Sequence, residues 1–290
     1  MENKKIAVVT GANSGMGKAT VAALADRGYT VLMLCRSKER GEAALQELQE
    51  NTERDLRLEL CDLGRMEDIR RCSEEISKKY FKVDVLINNA GVISLDRRET
   101  YDGLEEQFGV NHIGHFLLTL RLLPLMQQGS RIVVVASGAH KVGKIHFEDY
   151  NLTKNFNAIK AYSQSKLANI LFARELAERV KQCGITVNCC HPGAVATSMG
   201  VDRITGFGSG VTGLLKHIFL TPEEGAGTAV YLATELEGGR VTGKYFYKCR
   251  MSSTSAAAKS RADAKHLFEL SEKLTNEYFP SDGPEDSIRK

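Results

Sequence analysis

What the sequence lacks narrows it first. Neither sign of charge is in real excess: 39 Lys and Arg stand against 36 Asp and Glu, a net charge of +3 over 290 residues. A nucleic-acid surface would show as a basic surplus, so no nucleic-acid partner is expected. No stretch reaches the ~18 apolar residues of a membrane span, and the opening MENKKIAVVT has no signal-peptide apolar region. A soluble protein with no integral membrane segment is therefore expected. The seven cysteines are scattered without metal-ligand spacing, and Cys189 and Cys190 are adjacent. Neither a metal centre nor a disulfide framework is expected, and reduced thiols in a cytoplasmic setting fit best. His112 and His115, three apart in GVNHIGHF, have no third ligand nearby in sequence and read as packed or surface histidines. Linkers and internal repeats are also missing, so residues 1–290 read as one domain.

What is present alternates. Ile6–Val9 is a β-branched run that ends in the glycine-rich turn TGANSGMG, and a helical pattern follows from Lys18 to Arg27. Strand, glycine turn and helix start form the context in which such a turn binds phosphate; a purely structural turn is the alternative. Gly11 permits the tight turn, Gly15 lets backbone approach a pyrophosphate, and Gly17 allows helix to pack closely on strand. The helix N-terminus then offers free N–H groups to anions. The second strand, Tyr29–Leu34, runs into Cys35-Arg36-Ser37-Lys38. NAD-binding folds usually place a carboxylate there for the ribose 2′-hydroxyl, whereas a guanidinium suits a 2′-phosphate. NADP(H) is expected in preference to NAD(H), with an ordinary solvated arginine as the alternative.

Further strands are read at Leu56–Leu60, Val83–Ile87, Ile132–Val135, Ile185–Cys190 and Gly243–Tyr247, about seven in all. Asp62 follows the third, placed either to meet an adenine edge or to cap a helix. NNAG (Asn88–Gly91) follows the fourth, and its asparagines read as backbone ties. Leu104–Met126 reads as one long helical stretch that contains Asn111, a polar residue that must find partners. Ser137 closes the fifth strand, and Pro192-Gly193 turns the chain after the sixth. A closing helix is expected over Asp263–Leu274, about 263–275, with SDGPEDSIRK as a frayed tail. This alternation predicts an α/β, Rossmann-type doubly wound parallel sheet with helices on both faces. Ligands in such sheets bind at carboxyl strand ends, where the candidate residues fall.

The segment AYSQSKLANILFARELAERV has a helical apolar face, and on it Tyr162 and Lys166 stand one turn apart. A cation beside a phenol favours the ionised form, which suits a group that exchanges a proton near neutral pH. A surface pair is the bland alternative, since the spacing is common.

TGANSGMG, NNAG, Asn111, Ser137, YSQSK and PGAVAT, in this order, resemble the short-chain dehydrogenase/reductase family. LCRSKERGEAA, SGAH, IHFEDYNL, SKLANILF and TPEEGA are similar to its retinol-dehydrogenase-like branch. The resemblance implies that Tyr162 is the acid/base, Ser137 bonds the substrate oxygen, Lys166 lowers the Tyr162 pKa and binds the nicotinamide ribose, and Asn111 holds a relay water. It implies a dinucleotide site over Gly11, Asn13, Ser14, Gly15, Met16 and Gly17, then Arg36, Ser37 and Lys38. Asp62, Leu63, Asn89, Ala90 and Gly91 continue it, and Tyr162, Lys166, Pro192, Gly193, Val195 and Thr197 complete it. Two departures stand out: Ala136, where the family often has a second serine, and no N-terminal membrane anchor. Ala194–Thr221, rich in both glycine and apolar residues, reads as a lid on a lipophilic substrate; packing into the domain or a neighbouring subunit is the alternative. The expected activity is interconversion of a lipophilic aldehyde or ketone and its alcohol. Hydroxysteroid dehydrogenase and 3-oxoacyl reductase activities are alternatives within the enzyme class, and a non-catalytic NADP(H)-binding redox sensor is one outside it. A homo-oligomer is compatible with all of these.

Overall fold

Short runs rich in Val, Ile and Leu alternate with helices, and each run becomes a strand. The computed structural model describes residues 4–50, 52–193 and 220–280. Strands β1 (Ile6–Thr10), β2 (Thr30–Cys35), β3 (Leu56–Leu60), β4 (Val85–Asn88), β5 (Arg131–Val135), β6 (Thr186–His191) and β7 (Tyr245–Tyr247) are mutually parallel. A short antiparallel β8 (Arg250–Met251) pairs with β7, giving the order β3-β2-β1-β4-β5-β6-β7-β8. The chain reverses direction across the sheet between β1 and β4, so a crevice opens at their carboxyl ends.

Alternate strand residues point to opposite faces, and both faces are covered. Val8, Leu32, Leu86, Val134 and Val187 join one core with α3 (Met66–Lys79), α5 (Gly114–Leu122), α6 (Ala158–Arg179) and α8 (Arg261–Thr275). Val9, Val31, Met33, Ile87 and Val133 join the other with α1 (Gly15–Ala25), α2 (Lys38–Gln49) and α7 (Pro222–Thr234). Burial on both faces is why these strands read as near-continuous apolar runs.

The stretch expected to be one helix over Leu104–Met126 is divided. A single turn, α4 (Glu106–Phe108), leads into the π-helical residues Gly109–Ile113, then α5, then a 3-10 turn at Leu123–Leu125. Asn111 thus lies in the π turn rather than within regular helix. The expected lid, and with it Val195 and Thr197, lies outside the described residues except at its end, Leu220–Thr221. Among the described residues no helix is long and apolar enough to cross a membrane.

Candidate active site

The β1–α1 turn is built by close backbone contact. Gly11 has φ +64°, open to glycine without strain, and its N–H donates to the Leu34 carbonyl of β2 at 3.0 Å. A Cβ on Gly17 would lie 2.2 Å from the Gly11 carbonyl oxygen and 2.6 Å from the Asn89 amide nitrogen, so only glycine lets α1 start this close. Ser14, the N-cap of α1, makes no side-chain bond to the helix, and the first turn holds no acidic residue. By contrast Ser37, Asn157, Thr221 and Ser260 each cap their helices through a side-chain oxygen. The free N–H groups at the start of α1 are therefore available to an anion in the cleft.

That cleft has a volume of about 500 Å³ and runs along the carboxyl strand ends. Gly11, Asn13, Ser14, Gly15, Met16 and Gly17 form its floor beside α1. Arg36, Ser37, Asp62 and Leu63 line one end, Asn89, Ala90 and Gly91 the middle, and Ser137, Tyr162, Lys166, Pro192 and Gly193 the other end. Lys38 is not in the wall; it points along α2 towards Glu42, 3.8 Å away. Arg40 takes the place expected of it, lining the cleft beside Arg36. Ser37 is engaged as the α2 cap, accepting from the Arg40 N–H, and Asp62 accepts from the Gly64 N–H at 2.9 Å. Asn89 donates its side-chain amide to the Thr10 carbonyl at 2.8 Å, the backbone tie the sequence suggested.

At the far end Tyr162 and Ser137 line the cleft together, and the Ser137 side chain favours the ionised form of the Tyr162 phenol. The Ser137 hydroxyl accepts from the Ala139 N–H at 3.2 Å, which leaves its hydrogen to donate. Buried His140, unforeseen in the sequence, donates through Nδ1 to the Ser137 carbonyl at 2.6 Å and fixes that residue's backbone. The Lys166 ammonium donates to the Val135 carbonyl at 3.2 Å and lies 5.7 Å from the Tyr162 ring centroid. Asn111 stands behind this group, outside the cleft wall. Its Oδ1 accepts from the Val92 N–H at 2.7 Å, and its Nδ2 donates to the Val92 carbonyl and to Ser165 Oγ, both at 3.0 Å.

The electrostatics correct one expectation. Burial pushes the Tyr162 phenol above its usual range, and the Ser137 side chain opposes this only in part. Lys166 contributes no lowering here, and burial brings its own ammonium down to about 8. Its charge sits over the ring and against a carbonyl, not against the phenol oxygen.

The donor set fits a nicotinamide dinucleotide. An uncapped helix end can receive a pyrophosphate, and two arginines, Arg36 and Arg40, line the end of the cleft beyond it.

The short chain dehydrogenase family model matches residues 5–205. The chain is 41% identical to mouse retinol dehydrogenase 14 over 283 residues, covering 92% of this chain and 85% of that protein. An uncharacterised Mycobacterium paratuberculosis protein superimposes with a TM-score of 0.77 at 33% identity, covering 95% of each chain. The NADP complex of RhlG from Pseudomonas aeruginosa superimposes with a TM-score of 0.66 at 25% identity, covering 83% of this chain and 93% of that one.

Proposed function

The chain belongs to the short-chain dehydrogenase/reductase family, in its retinol-dehydrogenase-like branch, and from that premise we propose an NADP(H)-dependent oxidoreductase that interconverts a lipophilic aldehyde or ketone and its alcohol. The observation that carries the reading is convergence. One cleft holds an uncapped helix N-terminus, two arginines at one end, and the Ser137–Tyr162 pair with buried Lys166 at the other.

The nicotinamide, when bound, supplies or accepts the hydride. The chain's own residues manage the oxygen. In reduction, negative charge grows on the carbonyl oxygen, and the Ser137 and Tyr162 hydroxyls are the donors set to receive it. Tyr162 then gives up its proton; its raised pKa keeps it protonated at neutral pH, as an acid needs to be. The Lys166 ammonium, held over the ring and lining the cleft, would bind the nicotinamide ribose. Asn111 fixes the strand-end segment at Val92 and the α6 segment at Ser165 around that exchange. Arg36 and Arg40 would receive a 2′-phosphate.

The lipophilic substrate class is supported by the named activity of the mouse relative and by the apolar composition of 194–221. It is supported too by Val92 and Ile93 in the cleft wall. A redox sensor without turnover would have no use for a hydroxyl pair and a buried ammonium together, which favours the enzyme. The test is NADPH consumption with retinal, aliphatic aldehydes, ketosteroids and 3-oxoacyl thioesters. Highest kcat/KM for retinal and long aldehydes supports the reading, while turnover confined to ketosteroids or oxoacyl thioesters moves the chain to those alternatives.

A further inference from the structure

Among the described residues two buried histidines besides His140 remain outside the roles described, and one of them touches the machinery twice. His115 is 1% exposed and opens onto no solvent. Its Nδ1 lies 3.0 Å from the Asn111 carbonyl oxygen, and its Nε2 lies 2.8 Å from Thr10 Oγ1. We propose that His115 is a positioning residue that, as the neutral Nδ1–H tautomer, couples the β1 and β4 ends of the dinucleotide cleft to the π turn bearing Asn111. The proposal rests on the reading of this cleft as a dinucleotide oxidoreductase site.

The tautomer follows from the partners. A carbonyl oxygen can only accept, so Nδ1 must carry the hydrogen. Burial lowers the imidazole to about 4, with the charge of nearby Lys166 acting the same way, so the ring is neutral and Nε2 is a bare acceptor. Thr10 must then donate to it. That uses the hydroxyl's one hydrogen, and its two lone pairs accept from the Asn89 and Ala90 N–H groups, each at 2.9 Å. The competing Thr10 contact, to the Ile87 carbonyl, is longer at 3.4 Å. The opposite tautomer would set lone pair against lone pair at Asn111.

The bonds therefore run in one direction. Asn89 and Ala90 donate to Thr10, Thr10 to His115, and His115 to the Asn111 carbonyl. Beyond it the Asn111 side chain donates to Ser165, and Ser165 donates to the Tyr162 carbonyl. The chain thus links the turn in the middle of the cleft wall to the helix that carries Tyr162 and Lys166. Such buried networks fix geometry because each unmade bond is expensive.

The test begins on the ligand-free protein. Imidazole nitrogen shifts should report His115 protonated at Nδ1 and bare at Nε2, unchanged from about pH 8 to about pH 5. A protonated Nε2, or a ring that titrates in that range, overturns the proposal whatever the enzyme's activity. Three variants then separate the two bonds. His115→Asn keeps a donor near the Nδ1 position, His115→Gln reaches towards Thr10, and His115→Phe does neither. Loss of one such buried bond should cost roughly ten- to a hundred-fold. For His115→Gln that loss is expected in kcat, with NADPH affinity near normal. For His115→Asn it is expected in NADPH affinity, with kcat largely kept. Equal effects of all three on both parameters in folded protein would show a packing residue and contradict the proposal. If no carbonyl is turned over by the unaltered enzyme, the functional reading fails, while the tautomer and NADPH affinity still decide this one. If the Phe variant does not fold, the Asn and Gln variants and the nitrogen shifts carry the test.

Discussion

Lys166 is 2% exposed and carries its charge against the Val135 carbonyl, a costly position for an ammonium. Its pKa falls from 10.5 to about 8. The unfolded chain holds this proton more tightly, so the penalty is complete below about pH 8 and is relieved as pH rises towards 10.5. At neutral pH it amounts to about 3 kcal/mol. Lys166→Met is therefore expected to raise the Tm of the cofactor-free protein by several degrees while kcat collapses; an unchanged or lower Tm would show that the site imposes no such cost. Arg36 sets the second residue-scale expectation. NADPH should bind roughly ten- to a hundred-fold better than NADH, and Arg36→Asp should remove most of that preference. Arg40 in the same wall would leave a remnant. Equal KM values for the two cofactors in the unaltered enzyme contradict this. The glycines, Ser137, Tyr162 and Lys166 were legible because each sits at a strand end or on a helix face that periodicity reveals. Arg40 was not, because the exchange with Lys38 depends on where α2 begins: Lys38 is its first residue and extends along the helix to Glu42.

Elements matter here through their ends and irregularities. Helix α1 does without the capping bond that opens α2, α6, α7 and α8, leaving its N–H groups to a ligand. Gly17 permits this by letting the helix start against the Gly11 carbonyl. Gly17→Ala should weaken NADPH binding at least about tenfold and cost about 1–3 kcal/mol of stability. Fluorescence titration with NADPH and thermal unfolding check both, and unchanged affinity would mean that the turn relaxes freely. The π turn at Gly109–Ile113 was not legible, since apolar residues continue at helical spacing on both sides and nothing marks the added residue. Nor was β8, because its hairpin turns on Lys248 and Cys249 at φ 48° and 58°, where sequence rules look for glycine or asparagine. The strands and the order of the main helices were legible from doubly buried apolar runs bounded by turns.

At the scale of the molecule, folding buries His112 and His115 as neutral rings, lowered to about 3 and about 4. The unfolded chain takes up these protons near pH 6.5 and the folded protein resists, so stability is complete above that pH and is lost as pH falls below it. Each histidine contributes up to about 1.4 kcal/mol per pH unit. Tm should therefore decline steadily from about pH 6.5 to about pH 5; a flat profile there would mean the rings are not held neutral. On the proposed function, this chain reduces lipophilic carbonyls with a proton from a tyrosine. The most direct measurement compares unaltered enzyme with Tyr162→Phe, recording NADPH affinity and NADPH-dependent reduction over aliphatic aldehydes of increasing length and retinal. The account predicts kcat/KM rising with chain length in the unaltered enzyme, and a fall in kcat of roughly 10²–10⁴ in the variant with NADPH affinity retained. Near-normal turnover by Tyr162→Phe, or kcat/KM that stays flat from short to long aldehydes, would contradict it.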